Sequence, residues 1–145
     1  MINSVNVPVQ TVTAQSNVLF STDRVRSRRC SSCCGGWLQH DAGSGQFTLI
    51  NNNSCGSSVF EISFNCDLTS ATTGAIALAI QANGEAIGGT EMDYTVATES
   101  VYQSVGANTL IKVPANTSVT ITVKNTSTTT SVQCQSVNII IKKIA

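Results

Sequence analysis

The sequence predicts an all-β protein, an antiparallel jelly-roll β-sandwich in a single domain, and three observations carry that prediction. No stretch of a dozen residues shows convincing 3.6-residue apolar spacing. Several short runs alternate apolar and polar residues with period two, and turn-forming groups recur between them. A chain of 145 residues in which only 11% are charged, rich in Thr, Ser, Asn, Val and Ile, suits one domain of strands and turns spanning 1–145.

Taken in order, the expected strands are Val5 to Val12, Asn17 to Phe20, Trp37 to His40, Gln46 to Asn51, Ser58 to Asp67, Ala75 to Ala82, Glu85 to Ile87, Met92 to Ala97, Thr109 to Val113, Ser118 to Lys124 and Val132 to Lys143. The clearest is "VFEISFNCDL": Phe60, Ile62, Phe64, Cys66 and Leu68 share one face, and Glu61, Ser63, Asn65 and Asp67 the other. "SVTITVKN" repeats the pattern with Val119, Ile121 and Val123 inward. Asn83-Gly84 supplies the positive φ values of a two-residue hairpin. "HDAGSGQ" and "VPANTS" read as further connections, with Pro114 at a strand end because it cannot donate a ladder hydrogen bond. In the last run Val137, Ile139 and Ile141 share one face while Ile140 and Ile144 take the other, which marks a strand either central in its sheet or at an interface. About ten short strands without a fixed internal period favour a sandwich over a solenoid.

Composition excludes several classes. The formal net charge is zero, so the domain lacks the basic excess of a nucleic-acid binder. No apolar run approaches a membrane span, and "MINSVNVPVQTV" has neither a basic n-region nor an apolar core, so no secretory signal or membrane partner is expected. Asn-x-Ser/Thr triplets at Asn52, Asn116 and Asn125 follow from the Asn/Ser/Thr-rich composition.

"ALAIQANGEAIGGTEM", then "TLIKVPANTSVTITVKNTS", then the terminal "VNIIIKKIA" resemble the tumour-necrosis-factor-like jelly-roll domains of bacterial spore-surface collagen-like proteins. They are still more similar to small stand-alone structural proteins encoded in bacteriophages and prophages of gut bacteria. The likeness is a pattern of strands and turns over roughly residues 5–145. It implies a compact jelly roll, usually trimeric, that serves as a virion decoration module, head fibre or spore-coat component, with no catalytic motif. "RVRSRRCSSCC" stands outside that pattern.

Catalytic chemistry is thinly provided. His40 is the one histidine, and the eight carboxylates are scattered singly. Asp41 beside it does not make a catalytic pair by adjacency, since strand neighbours point to opposite faces. No Gly-x-Ser-x-Gly elbow, phosphate-binding glycine loop or His-x-x-x-His pair occurs, so no enzymatic activity and no cofactor are expected. Cys30-x2-Cys33 has the spacing of half a zinc site, with Cys34, His40 and Cys55 as the residues able to complete it. Only one such pair is present, and a jelly roll of this size folds without metal. Disulfides compete: Cys30, Cys33, Cys34, Cys55 and Cys134 are the candidates for bridges or subunit cross-links once the chain meets an oxidising exterior. Cys66, sharing its face with phenylalanines, reads as a buried free thiol.

Arg24, Arg26, Arg28 and Arg29 are four of the chain's eight basic residues. In "DRVRSR" the even positions would line one face of an extended segment and present guanidinium groups to carboxylates or phosphates. Two readings stay open: docking on an acidic capsid or neighbouring subunit, and an edge strand blunted with charge. Residues 1–36 are accordingly the expected attachment or subunit-contact segment. Self-association as a trimer would use Tyr94, Val101, Tyr102 and the apolar residues of "NIIIKKIA". The leading expectation is a non-enzymatic virion structural protein, a capsid decoration or head-fibre module. Alternatives are a disulfide-linked spore or cell-surface subunit cross-linked through Cys30, Cys33, Cys34 and Cys134, and a glycan-binding module using Trp37, His40 and Asn51 to Asn53.

Overall fold

The computed structural model describes residues 1–26 and 36–145. Its strands are β1 (Ile2–Asn6), β2 (Gln10–Val12), β3 (Thr22–Arg26), β4 (Leu38–Gln39), β5 (Phe47–Asn51), β6 (Ser58–Thr69), β7 (Gly74–Ala82), β8 (Glu85–Ala86), β9 (Met92–Val96), β10 (Gln103–Val113), β11 (Thr117–Asn125) and β12 (Val132–Lys143). No helix occurs among the described residues. Two antiparallel sheets of six strands form the sandwich. The first, sheet A, runs β10-β6-β12-β1-β3, with β2 also pairing β12; the second, sheet B, runs β4-β5-β11-β7-β8, with β9 also pairing β7. The first and last strands lie side by side, from Ile2 opposite Ile141 to Asn6 opposite Val137. This wrapping of distant segments into neighbouring strands is the jelly-roll arrangement.

The period-two pattern of β6 explains the core. Phe60, Ile62, Phe64, Cys66 and Leu68 are buried, as alternation requires, and meet Phe47, Leu49, Leu78, Ile80, Ile121 and Val123 of sheet B in one apolar cluster. Phe20, in the loop before β3, joins the layers. Its ring sets an edge against Phe47 of sheet B at 5.1 Å and against Phe64 of sheet A at 6.4 Å. Each such buried side chain contributes about 1.5–3 kcal/mol relative to exposure.

Two buried carboxamides tie the loops. Asn51 Nδ2 donates to the carbonyls of Gly56, Val113 and Pro114 at 2.8–3.1 Å, and its Oδ1 accepts from Asn53 N and Ser58 Oγ. Asn125 does the same elsewhere, donating to Val12 O and Thr130 O and accepting from Ser127 N. Asn83 and Gly84 take φ values of 51° and 86°, the expected hairpin between β7 and β8.

The expected elements differ in four places. Val5 to Val12 is two strands, because Pro8 interrupts the run and Asn6 Nδ2 turns to the Pro8 carbonyl. Asn17 to Phe20 forms an isolated bridge to Lys124 instead of a strand; Val18 and Phe20 are buried, which produced the alternation, but the Gln10 carboxamide takes both Leu19 backbone groups. Residues 22–26 form a full edge strand. β10 begins at Gln103, six residues before the expected start at Thr109, because eleven consecutive pairs with β6 carry "QSVGAN" into the sheet despite its weak strand propensity. β1 is paired on both sides and Ile2 is buried, so residues 2–6 belong to the sheet.

Candidate functional site

The outer face of sheet A is broad and carries short side chains. Register aligns Gly106 with Asn65, Asn65 with Asn138 and Asn138 with Val5. The next row runs Asn108, Ser63, Ile140, Asn3. Ser63 Oγ bonds Asn108 Oδ1, and Asn3 Nδ2 donates to Asn138 Oδ1, so the polar groups are partly consumed within the face. Its charged groups include Lys112 on β10, Lys142, which pairs with Glu61 at 3.4 Å, and Asp67, which accepts from Ser104 Oγ at 2.6 Å. Exposed apolar residues stand at opposite borders. Leu110 on the β10 edge is 62% exposed, and Val7 and Val25 near the β1–β3 edge are 70% and 46% exposed. β12 is central, which explains its two apolar faces: Val137, Ile139 and Ile141 enter the core, and Ile140 lies half-buried on the outer face.

The arginines are separated by a bulge. Register passes from Asn3–Val25 to Ser4–Asp23, leaving Arg24 as the extra residue of β3. Alternation therefore resumes one residue late, and Arg24 and Arg26 do not share a face as simple alternation predicts. Arg24 lines a shallow outer groove of about 400 Å³ with Asn3, Val5, Val7, Asn138 and Ile140. Arg26 is exposed at the sheet edge, where Nη1 donates to the His40 carbonyl at 3.3 Å and lies 3.5 Å from Asp23 Oδ2. Arg28 and Arg29 lie outside the described residues, as do Cys30, Cys33 and Cys34.

His40 is not the surface hairpin residue that its neighbourhood suggests. Its ring is buried, stacked on Phe47 at 3.9 Å, with Nδ1 2.9 Å from Gln46 O. Nε2 faces both Ser4 Oγ and Asp23 Oδ1 at 3.4 Å. These residue types match a Ser/His/Asp hydrolase, but their geometry does not. A hydrolytic triad needs the serine on one ring nitrogen and the carboxylate on the other; here both address Nε2, and Ser4 is buried. Sequence reading missed Ser4 and Asp23 altogether, because they lie 36 and 17 positions from His40 and only the fold brings them together.

The other expected site residues are dispersed. Cys55 is exposed, far in kind from buried His40, and no group of three potential metal ligands exists among the described residues. Cys66 is buried, as its alternation predicts; a hydrogen bond with the Cys134 thiol, and then burial, push its own thiol well above the ordinary value. Cys134 is also fully buried, which removes it from reach of a neighbouring subunit and corrects its place among the cross-linking residues. For glycan recognition, His40 and Asn51 are buried with their polar atoms engaged, Trp37 leans on Phe60 at 5.4 Å between ring centres, and only Asn52 and Asn53 are exposed. Of the expected trimer contacts, Val101 is 50% exposed, whereas Tyr94 and Tyr102 are half-buried, and Tyr94 packs on the core.

No protein-family model matches the chain, and no curated protein matches its sequence. Solved structures do match its fold. Eiger TNF from S. frugiperda superposes with a TM-score of 0.68 at 8% identity, covering 100% of this chain and 92% of the other. Murine APRIL at pH 5.0 gives 0.62 at 11% identity, covering 99% and 97%. The globular domain of zebrafish complement 1qA protein gives 0.59 at 10% identity, covering 96% and 94%. The chain is thus an all-β sandwich whose structural neighbours are the tumour-necrosis-factor-like and C1q-like jelly rolls.

Proposed function

We propose that the protein is a non-enzymatic structural module that self-associates as a homotrimer and docks on a virion as a capsid decoration or head-fibre component. The observation that carries this reading is the outer face of sheet A, with its rows of short Asn, Ser and Gly side chains and exposed apolar residues at opposite borders. A face whose two borders differ suits a head-to-tail contact, in which the Leu110 edge of one copy covers the face of the next and the ring closes by rotation. The virion assignment rests on the sequence resemblance, and the jelly-roll neighbours support its structural part.

Docking on an acidic capsid surface would use Arg24, which faces outward beside Val7 and the 400 Å³ groove, together with Arg28 and Arg29. Arg26 contributes to the fold instead. The spore or cell-surface alternative depends on intersubunit thiols, and among the described cysteines Cys55 is the exposed one. Native mass spectrometry with and without reductant tests self-association: a trimer that survives reduction is expected, and a species that falls to monomer on reduction would favour the cross-linked alternative. Arg24→Ser combined with Arg28→Ser and Arg29→Ser, leaving Arg26 in place, should abolish particle attachment while the far-ultraviolet spectrum is unchanged; retained attachment would overturn the docking role.

A further inference from the structure

We propose that Cys66 and Cys134 form a dithiol site in the core of the sandwich, which closes to an intrachain disulfide between β6 and β12 when the reduced protein meets a low-molecular-weight disulfide. Register carries the two sulfurs toward each other. Cys134 stands opposite Leu68, and Cys66, two residues from Leu68 along β6, shares its face. Both cysteines are buried, at 3% and 0% exposure, in the same apolar cluster. In a regular ladder such diagonal neighbours stand about 7–8 Å apart, beyond the usual span of a disulfide, about 4.4–6.8 Å between Cα atoms. Here the ladder is irregular. Register passes from Gln135–Asp67 to Asn138–Asn65, so Ser136 and Val137 together face Cys66, and Ser136 takes a φ of 51°. A bulge of this kind bends its strand and sharpens the local twist, and the two thiols meet in a hydrogen bond. Cys55, the remaining described cysteine, is exposed, so among the described residues the two buried thiols have each other as partners.

The bulge also supplies slack and access. Ser136 sits outside the β6 ladder, and its N–H reaches the Val7 carbonyl only at 3.4 Å, a long contact, so β12 can draw toward β6 there without losing a ladder bond. A shallow groove of about 270 Å³, lined by Asn65, Cys66, Asp67, Ser104, Val105 and Ser136, opens over the bulge. Cys66 lines this groove whereas Cys134 is fully enclosed, so Cys66 reacts first. Its sulfur gives up a proton and attacks R–S–S–R; a mixed disulfide forms, and the expelled sulfur takes up that proton as RSH. The Cys134 sulfur then attacks the Cys66 sulfur and expels the second RSH, which carries the Cys134 proton. The protein thus gives up two electrons and two protons, and R–S–S–R is reduced to two RSH. The hydrogen bond with Cys134, and then burial, hold the Cys66 thiol high, so the first attack is slow while the protein is folded. The product lies within one chain and leaves the outer face of sheet A unaltered. It ties β6 to β12 across a long intervening segment and so restricts the unfolded chain.

The test compares the full-length wild-type chain with a variant that keeps only these two cysteines, combining Cys30→Ser, Cys33→Ser, Cys34→Ser and Cys55→Ser. After prolonged incubation of the reduced variant with oxidised glutathione at mildly alkaline pH, its intact mass should fall by two hydrogen atoms, with no glutathione attached. Peptide mapping should recover the Cys66 and Cys134 peptides joined, the melting temperature should rise, and added reductant should reverse both changes. A folded variant that keeps two free thiols, or that ends as a stable glutathione adduct, overturns the proposal. If the variant does not fold, the wild-type peptide map decides alone: a Cys66–Cys134 linkage after the same incubation is the expected result, and its absence overturns the proposal.

Discussion

At the scale of single residues, the buried polar groups are the most exacting positions. Asn51 satisfies three carbonyls and accepts two further bonds without any exposure. Asn51→Ala strands these partners, and a loss of about 1–3 kcal/mol in urea unfolding is expected. Gly45 is constrained by space: a Cβ there would stand 2.6 Å from the Val18 carbonyl and 3.0 Å from Asn17 Cβ. Gly45→Ala should lower the melting temperature through a strain of about 1–3 kcal/mol, because backbone, not a flexible side chain, blocks the methyl group. Cys66 makes a prediction about pH. Its thiol is held high in the folded protein by the Cys134 thiol and burial, whereas the unfolded thiol ionises near about 8.5. Above that pH the unfolded chain has lost a proton that the folded chain keeps, so stability falls as pH rises, by up to about 1.4 kcal/mol per unit. Denaturation midpoints from pH 8 to 10 should show this slope, and Cys66→Ala should lessen it. Residue roles of this kind were only partly legible in the sequence. Cys66 follows from alternation along one strand, but nothing local announces that Asn51 is saturated, or that Ser4, Asp23 and His40 converge.

At the scale of elements, legibility followed locality. β6, β7, β11 and β12 were readable because their own side chains alternate or run apolar. The Asn83-Gly84 hairpin was readable because its turn needs particular residues. β10 was half-legible: "QSVGAN" enters the sheet through pairing with β6, a long-range cause with no signature in its own residues. The bulge in β3 was invisible for the same reason, since it depends on register with β1, and it decides which arginine faces outward. Among the described residues, no further strand pairs with β10 along the edge beside Leu110. Leu110→Arg should disperse the assembly in sedimentation velocity while changing the stability of the dispersed subunit by less than about 0.5 kcal/mol, because the side chain is 62% exposed. An assembly unaffected by this charge would remove the β10 border from the contact.

For the whole molecule, the jelly-roll wrapping makes one sheet a surface built from six strands distant in sequence. No sequence window displays that surface, in which Asn, Ser and Gly of several strands stand beside Ile140, Glu61 and Lys142. Composition did anticipate its character, since a chain with 11% charged residues leaves broad areas uncharged. Arg24 lies at the border of this face, beside the groove lined by Val5, Val7 and Ile140. The claim on which the functional reading depends is that sheet A is an interface between copies. Sedimentation equilibrium of the reduced full-length protein across a hundredfold concentration range tests it most directly: a mass three times the 15.2 kDa of one chain is the predicted result, and a monomer persisting at the highest concentration would contradict it.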